Sequence, residues 1–133
     1  MSNYTVSTPH SLKIMPITKI SRFARLGSKI MMIALTSAID VKAIPGTITT
    51  TSTEEDGIIT KKITFKRSNI SADDIDTLER YSIMRLIAFY ADERGNERVC
   101  GSPDYPLSFS YTFADGAIEC TLTGKDTKPD AFI

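Results

Sequence analysis

Residues 83–125 read IMRLIAFYADERGNERVCGSPDYPLSFSYTFADGAIECTLTGK, four apolar or alternating runs separated by three turn signals. The turns are Asp92-Glu93-Arg94-Gly95-Asn96, Gly101-Ser102-Pro103-Asp104 and Ala114-Asp115-Gly116. Gly, Asn, Asp and Pro punctuate the chain because they accept the backbone angles that tight turns need. Between them, Leu107, Phe109, Tyr111 and Phe113 alternate with Ser108, Ser110 and Thr112, and Ile118, Cys120 and Leu122 alternate with Glu119, Thr121 and Thr123. A period of two is the signature of a strand buried on one face. The pattern predicts consecutive antiparallel strands whose four large residues from Leu107 to Phe113 are buried together. A one-residue slip would expose all four, so the register should be firm.

The rest of the chain adds strands and one helix. Residues 1–12 are polar and rich in Ser and Thr, and read as an N-terminal arm. Residues 13–20 alternate weakly and contain Pro16, which predicts an irregular or edge strand. The segment 30–35, IMMIAL, follows Arg22 and Arg25 and imitates the apolar core of a signal peptide. It is too short to span a bilayer, and its β-branched, apolar character favours a buried strand. Residues 47–53 are dominated by threonine, Glu54-Glu55-Asp56-Gly57 marks a hairpin, and a strand returns from Ile58 to Lys66. On that strand Ile59, Ile63 and Phe65 share a face with Lys61. Ser71, followed by Asp73, Asp74 and Asp76, is a helix start: a capping hydroxyl and acidic groups at the positive end of the dipole. The helix should turn Ile75 and Leu78 toward the sheet. Residues 126–133 read as a short C-terminal tail.

A chain of 133 residues is expected to be one domain with a real core. The fold class predicted is mainly β (α+β): an antiparallel sandwich or barrel-like sheet with one short helix packed on it. The formal net charge is zero, but it is unevenly distributed. Residues 1–46 carry six basic side chains against one acidic, a net +5; the remaining ten basic against fifteen acidic give −5. Opposite charge in the two parts of a chain suits packing of the halves on each other, two solvated faces, or contact between neighbouring copies. The candidate subunit-interface residues are therefore Lys13, Lys19, Arg22, Arg25 and Lys29 on the basic side, and Glu54, Glu55 and Asp56 on the acidic side.

No catalytic constellation is legible. His10 is the single histidine and stands in the polar arm, so neither a zinc site nor a Ser-His-Asp arrangement is expected. Cys100 and Cys120 both fall in predicted strands and read as free, buried thiols. The carboxylate clusters lack the spacing of a calcium loop and read as solvated turns and helix-start charges. The glycines are scattered among turns, with no phosphate loop. The expectation is a non-enzymatic protein with no cofactor, metal or small-molecule substrate and no membrane span. A monomeric adaptor that binds nucleic acid or a protein through its basic N-terminal segment is the weaker alternative.

The segment 83–133 resembles small proteins encoded in the structural modules of phages and prophages of Bacteroidetes-type bacteria. The resemblance is carried by residues 86–90 with the following Asp/Gly/Asn turn and Val99, by Gly101-Ser102-Pro103-Asp104-Tyr105-Pro106-Leu107, by alternating Phe109 and Tyr111, and by Thr123-Gly124-Lys125 before Pro129 and Phe132. The Ala114-Asp115-Gly116 connection departs from the pattern, being shorter than the Gly-rich insertion such proteins often carry. The resemblance implies a virion structural subunit of the tail or head–tail connector, assembled in the host bacterial cytoplasm. Its partners would be copies of itself, in a ring or tube, and neighbouring virion proteins. It implies no catalytic residue.

Overall fold

Strand β8 (Arg85–Ala91) organises the molecule, because every residue from Leu86 to Tyr90 is buried. Leu86, Ala88 and Tyr90 face one hydrophobic core, and Ile87 and Phe89 face another. A strand covered on both faces reads as a continuous apolar run, which is what LIAFY is. The computed structural model describes residues 3–68, 71–114 and 116–133, with the backbone alone for residues 3–7. Asp115 of the third expected turn and residues 1–2 of the expected arm lie outside the described residues.

Among the described residues eleven further strands surround β8: β1 (Asn3–Ser7), β2 (Leu12–Pro16), β3 (Ile20–Leu26), β4 (Lys29–Ala34), β5 (Ile39–Asp40), β6 (Thr49–Glu55), β7 (Ile58–Arg67), β9 (Glu97–Cys100), β10 (Leu107–Ala114), β11 (Ala117–Asp126) and β12 (Ala131–Phe132). The strand order is β1-β6-β7-β11-β10-β8-β9-β12-β4-β3, with β2 and β5 branching from β8. One edge of β8 is paired by β2. Its other edge is paired first by β10 and then by β9. The fold is mainly β with one helix on a large sheet, as expected. The sheet is mixed rather than wholly antiparallel, since β12 runs parallel to β4 through Phe132 and Lys29.

Three local expectations change. The arm at 3–7 is an edge strand on β6 of its own chain, from Asn3 opposite Glu54 to Ser7 opposite Thr50. The segment around Pro16 is flanked on both sides, by β8 and β5; Pro16 sits at the end of β2, where the missing N–H interrupts little. Leu107 and Phe109 are buried, but Tyr111 is half-buried and Phe113 is 56% exposed. Beyond Ser108 no strand pairs the second edge of β10 among the described residues. Tyr81 of the helix covers Phe109, edge-on at 5.5 Å, and Phe113 lies past that cover.

The helix α1 (Ala72–Ser82) starts where the capping residues place it. Ser71 Oγ accepts the Asp74 N–H, and the Asp74 carboxylate accepts the Ser71 N–H, a reciprocal capping box. Leu78 and Tyr81 are buried, and Ile75 is half-buried beside them. Arg67 Nη2 donates to Asp74 Oδ1 at 2.8 Å, tying the helix start to β7. The Ser71 bonds and the Arg67 charge hold the Asp74 carboxyl below its ordinary range. Ser71→Ala should destabilise the fold by about 0.5–2 kcal/mol, read as a shift of the urea midpoint at neutral pH. Since Asp74 is depressed in the folded state, its contribution is complete above the ordinary value of 3.8 and is lost as pH falls through the lower folded value. The Asp74→Asn midpoint should therefore converge with wild type in acid.

Candidate functional site

The β3–β4 hairpin presents two unlike faces. Its strands close on Gly27-Ser28, where Gly27 takes φ +64°, a turn conformation glycine accepts without strain. The register sets Phe23 opposite Met32 and Arg25 opposite Ile30, and this side covers the second core with Met15, Ile87 and Phe89. The other side sets Arg22 opposite Ile33, Ala24 opposite Met31 and Leu26 opposite Lys29. There Leu26 is 71% exposed, Met31 69%, Ile33 57% and Leu35 67%. Four large apolar side chains on one open sheet face are unusual for a surface, and such patches mark contact sites. Strand β3 ends the strand order, so its outer backbone edge is also unpaired among the described residues. Unprotected edges template pairing with another chain.

The candidate interface residues divide by position. Arg22 and Lys29 flank the apolar face. Arg25 points inward instead: its guanidinium donates to the carbonyl oxygens of Gly27 at 2.9 Å and Pro129 at 2.8 Å, so it secures the tail. Lys13 is exposed on β2, and Lys19 is exposed in the 3-10 turn before β3. Glu54, Glu55 and Asp56 form the exposed β6–β7 turn, near the opposite end of the strand order, with Ile58 49% exposed beside them. Asp56 and Gly57 have φ +54° and +80°, the double left-handed geometry of a two-residue hairpin turn.

A second feature lies inside the molecule. Lys61 points inward from β7, with its side chain 4% exposed. Its Nζ hydrogen-bonds Asp126 Oδ2 at 3.3 Å and forms an ion pair with Asp130 Oδ1 at 3.0 Å. The Tyr90 hydroxyl donates to Asp130 Oδ2. Arg98 Nη2 donates to the Asp130 carbonyl at 2.7 Å, and its guanidinium lies 4.0 Å above the centre of the Phe132 ring. A cavity of about 250 Å³ adjoins the cluster, lined among others by Thr50, Glu54, Asp92 and Cys100. Gly124 stands opposite Lys61 in the strand pair. A Cβ there would lie 2.9 Å from the Pro106 carbonyl oxygen, so only glycine lets β11 pass under that loop.

Burial lowers the Lys61 pKa, but Asp130 and then Asp126 outweigh it, and the net shift is upward, so the ammonium stays charged. The same burial raises both thiols: Cys120 is pushed up to about 11 and Cys100 well above its ordinary value. Thiols, unlike thiolates, are poor nucleophiles. Neither cysteine should react with a maleimide in the native protein at neutral pH, and both should react after denaturation. Rapid native labelling would contradict the burial.

Asp126 and Asp130 were expected in a short tail; they anchor it instead. The two-residue strand β12 fits between β9 and β4 and is the strand that joins the β3–β4 hairpin to the rest of the sheet. One signal of this cluster was legible in advance, a lysine on the apolar face of β7. Among the described residues no group of three or more His, Cys, Asp or Glu is placed to hold a metal ion, and no helix is long and apolar enough to cross a membrane. No protein-family model, curated protein or solved structure matches the chain.

Proposed function

We propose that this chain is a non-enzymatic structural subunit of a phage-type virion, a tail or head–tail connector component that self-assembles into a ring or tube. The observation that carries the assembly reading is the outer face of the β3–β4 hairpin, with Leu26, Met31, Ile33 and Leu35 exposed between Arg22 and Lys29. Water contact with these side chains costs roughly 25 cal/mol per Å² that a partner could remove. The acidic Glu54-Glu55-Asp56 turn belongs to a different part of the surface, so a basic-to-acidic contact between copies is head-to-tail. Head-to-tail contacts close into rings or continue as tubes. The outer edges of β1 and β3, unpaired among the described residues, offer main-chain pairing in the same sense. Placement in a virion rests on the C-terminal resemblance.

Sedimentation of the purified protein across a concentration series tests this reading. Assembly into a discrete multi-copy particle is expected. Its formation should weaken at high salt, because the flanking charges are exposed and screened. A chain that stays monomeric and binds oligonucleotides in a salt-dependent way would favour the adaptor reading instead.

A further inference from the structure

Buried ion pairs seldom set two carboxylates against one lysine, and here a tyrosine hydroxyl completes the group. We propose that Lys61 and Asp130 become joined by an intramolecular amide (isopeptide) bond, with Asp126 acting as the proton carrier. The three side chains differ in how they are held, and the difference assigns their roles. Asp126 Oδ1 is occupied by the N–H groups of Thr127 at 2.7 Å and Lys128 at 3.1 Å, which leaves Oδ2 to accept from Lys61 Nζ at 3.3 Å. That is the position of a base. Asp130 Oδ1 is buried without a hydrogen bond, although Nζ stands 3.0 Å away. Its Oδ2 accepts from the Tyr90 hydroxyl, which polarises the carboxyl group. That is the position of an electrophile beside its nucleophile. Arg98 fixes the Asp130 main chain from behind.

The step balances without a co-reactant. Asp126 Oδ2 takes a proton from the Lys61 ammonium and passes it to Asp130, giving a neutral amine and a neutral carboxylic acid. Nζ attacks Asp130 Cγ, and the new C–N bond gives a tetrahedral centre. A second proton leaves the nitrogen through Asp126 and joins the departing hydroxyl. The Cγ–O bond breaks and one water is released. Two ammonium protons and one carboxylate oxygen form that water, no electron changes hands, and Asp126 ends as it began. The carboxylates that raise the Lys61 pKa favour the ion pair, so the first proton transfer is uphill and the reaction passes through the minority neutral pair.

Three physical terms favour the reaction here. Side-chain positions fixed by the fold replace a bimolecular encounter, for which effective molarities reach about 10⁵–10⁸ M. The two side chains that would be joined, Lys61 and Asp130, are 4% and 16% exposed, so solvent access to the product is restricted. The bond also removes the Lys61 and Asp130 charges, leaving Asp126 held by the N–H groups of Thr127 and Lys128. The pair Arg67–Asp74 makes the contrast: one carboxylate, a directed hydrogen bond at 2.8 Å, and a guanidinium that is no nucleophile. The consequence is a covalent clamp from β7 to the tail that carries β12, independent of whether copies assemble.

Mass spectrometry of the full-length protein, held folded at neutral pH and then denatured, tests the proposal. The expected mass is lower than the sequence mass by one water. Proteolysis should yield one branched peptide joining the segment of Lys61 to that of Asp130. Lys61→Arg, which keeps the charge but cannot form the amide, should retain the full mass, and Asp126→Asn should greatly slow the loss. Asp130→Asn should form the same link with loss of ammonia. A wild-type mass unchanged after prolonged incubation overturns the proposal. So does a water loss that maps to a linear peptide, such as a succinimide at Asp56-Gly57.

Discussion

Lys61→Met should lower the unfolding free energy by about 3–5 kcal/mol, because it leaves Asp126 and Asp130 buried without their counter-ion. This magnitude refers to the chain before any Lys61–Asp130 bond forms, when the ion cluster is intact. The effect comes from desolvation. A carboxylate taken out of water and left unpaired must either be protonated or pull the tail into solvent. Replacing all three residues with apolar groups of similar volume should recover much of the loss, since a buried ion group is often no more stable than a packed apolar one. Urea unfolding of the single and triple variants measures both statements. The pH dependence has a defined sign. The folded-state pKa of Lys61 lies above the ordinary 10.5, so its contribution is complete below that pH and is lost as pH rises through the higher folded value. Before any bond to Asp130 forms, wild type and Lys61→Met should therefore differ through neutral pH and converge in strong base. A difference that vanishes near pH 7 would contradict the assignment of the ammonium as the buried charge.

The second large effect concerns association. Met31→Glu combined with Ile33→Glu should abolish multi-copy particles while leaving the monomer folded. Both side chains point away from the second core, and their inward neighbours Ile30 and Met32 are untouched. The monomer's urea midpoint should move little, because exposed positions contribute little to folding. Met32→Glu is the matched control on the inner side. It should destabilise the chain itself, since it places a charge against Ile87 and Phe89. Circular dichroism with sedimentation separates these outcomes.

Strand identity in the C-terminal half was legible because alternation and turn chemistry agree there. Ile118, Cys120 and Leu122 are all buried, and β11 pairs β10 with Phe109 opposite Leu122 and Tyr111 opposite Cys120. The helix start at Ser71 was legible for the same reason: the capping residue and the acidic first turn point one way. Phe113 was misread because alternation says which face a residue shares, not how far the covering element extends. β12 was invisible as a strand, since two residues carry no period. The candidate site was half legible. The charge split brought out Arg22 and Lys29, yet the hairpin that places them on one apolar face follows from the pairing of β3 with β4. Arg25 shows the limit: same segment, same charge, opposite face. Lys61 stood out on an apolar face, but Asp126, its partner, is 65 residues away in sequence, and only the fold brings them together.

Self-association through the outer face of the β3–β4 hairpin is the proposed working mode of the chain. Sedimentation velocity of the wild type and of the Met31→Glu/Ile33→Glu variant, side by side at high protein concentration, tests it most directly. A discrete multi-copy species is expected for the wild type and a folded monomer for the variant. A wild type that stays monomeric, or a variant that assembles as the wild type does, would contradict it.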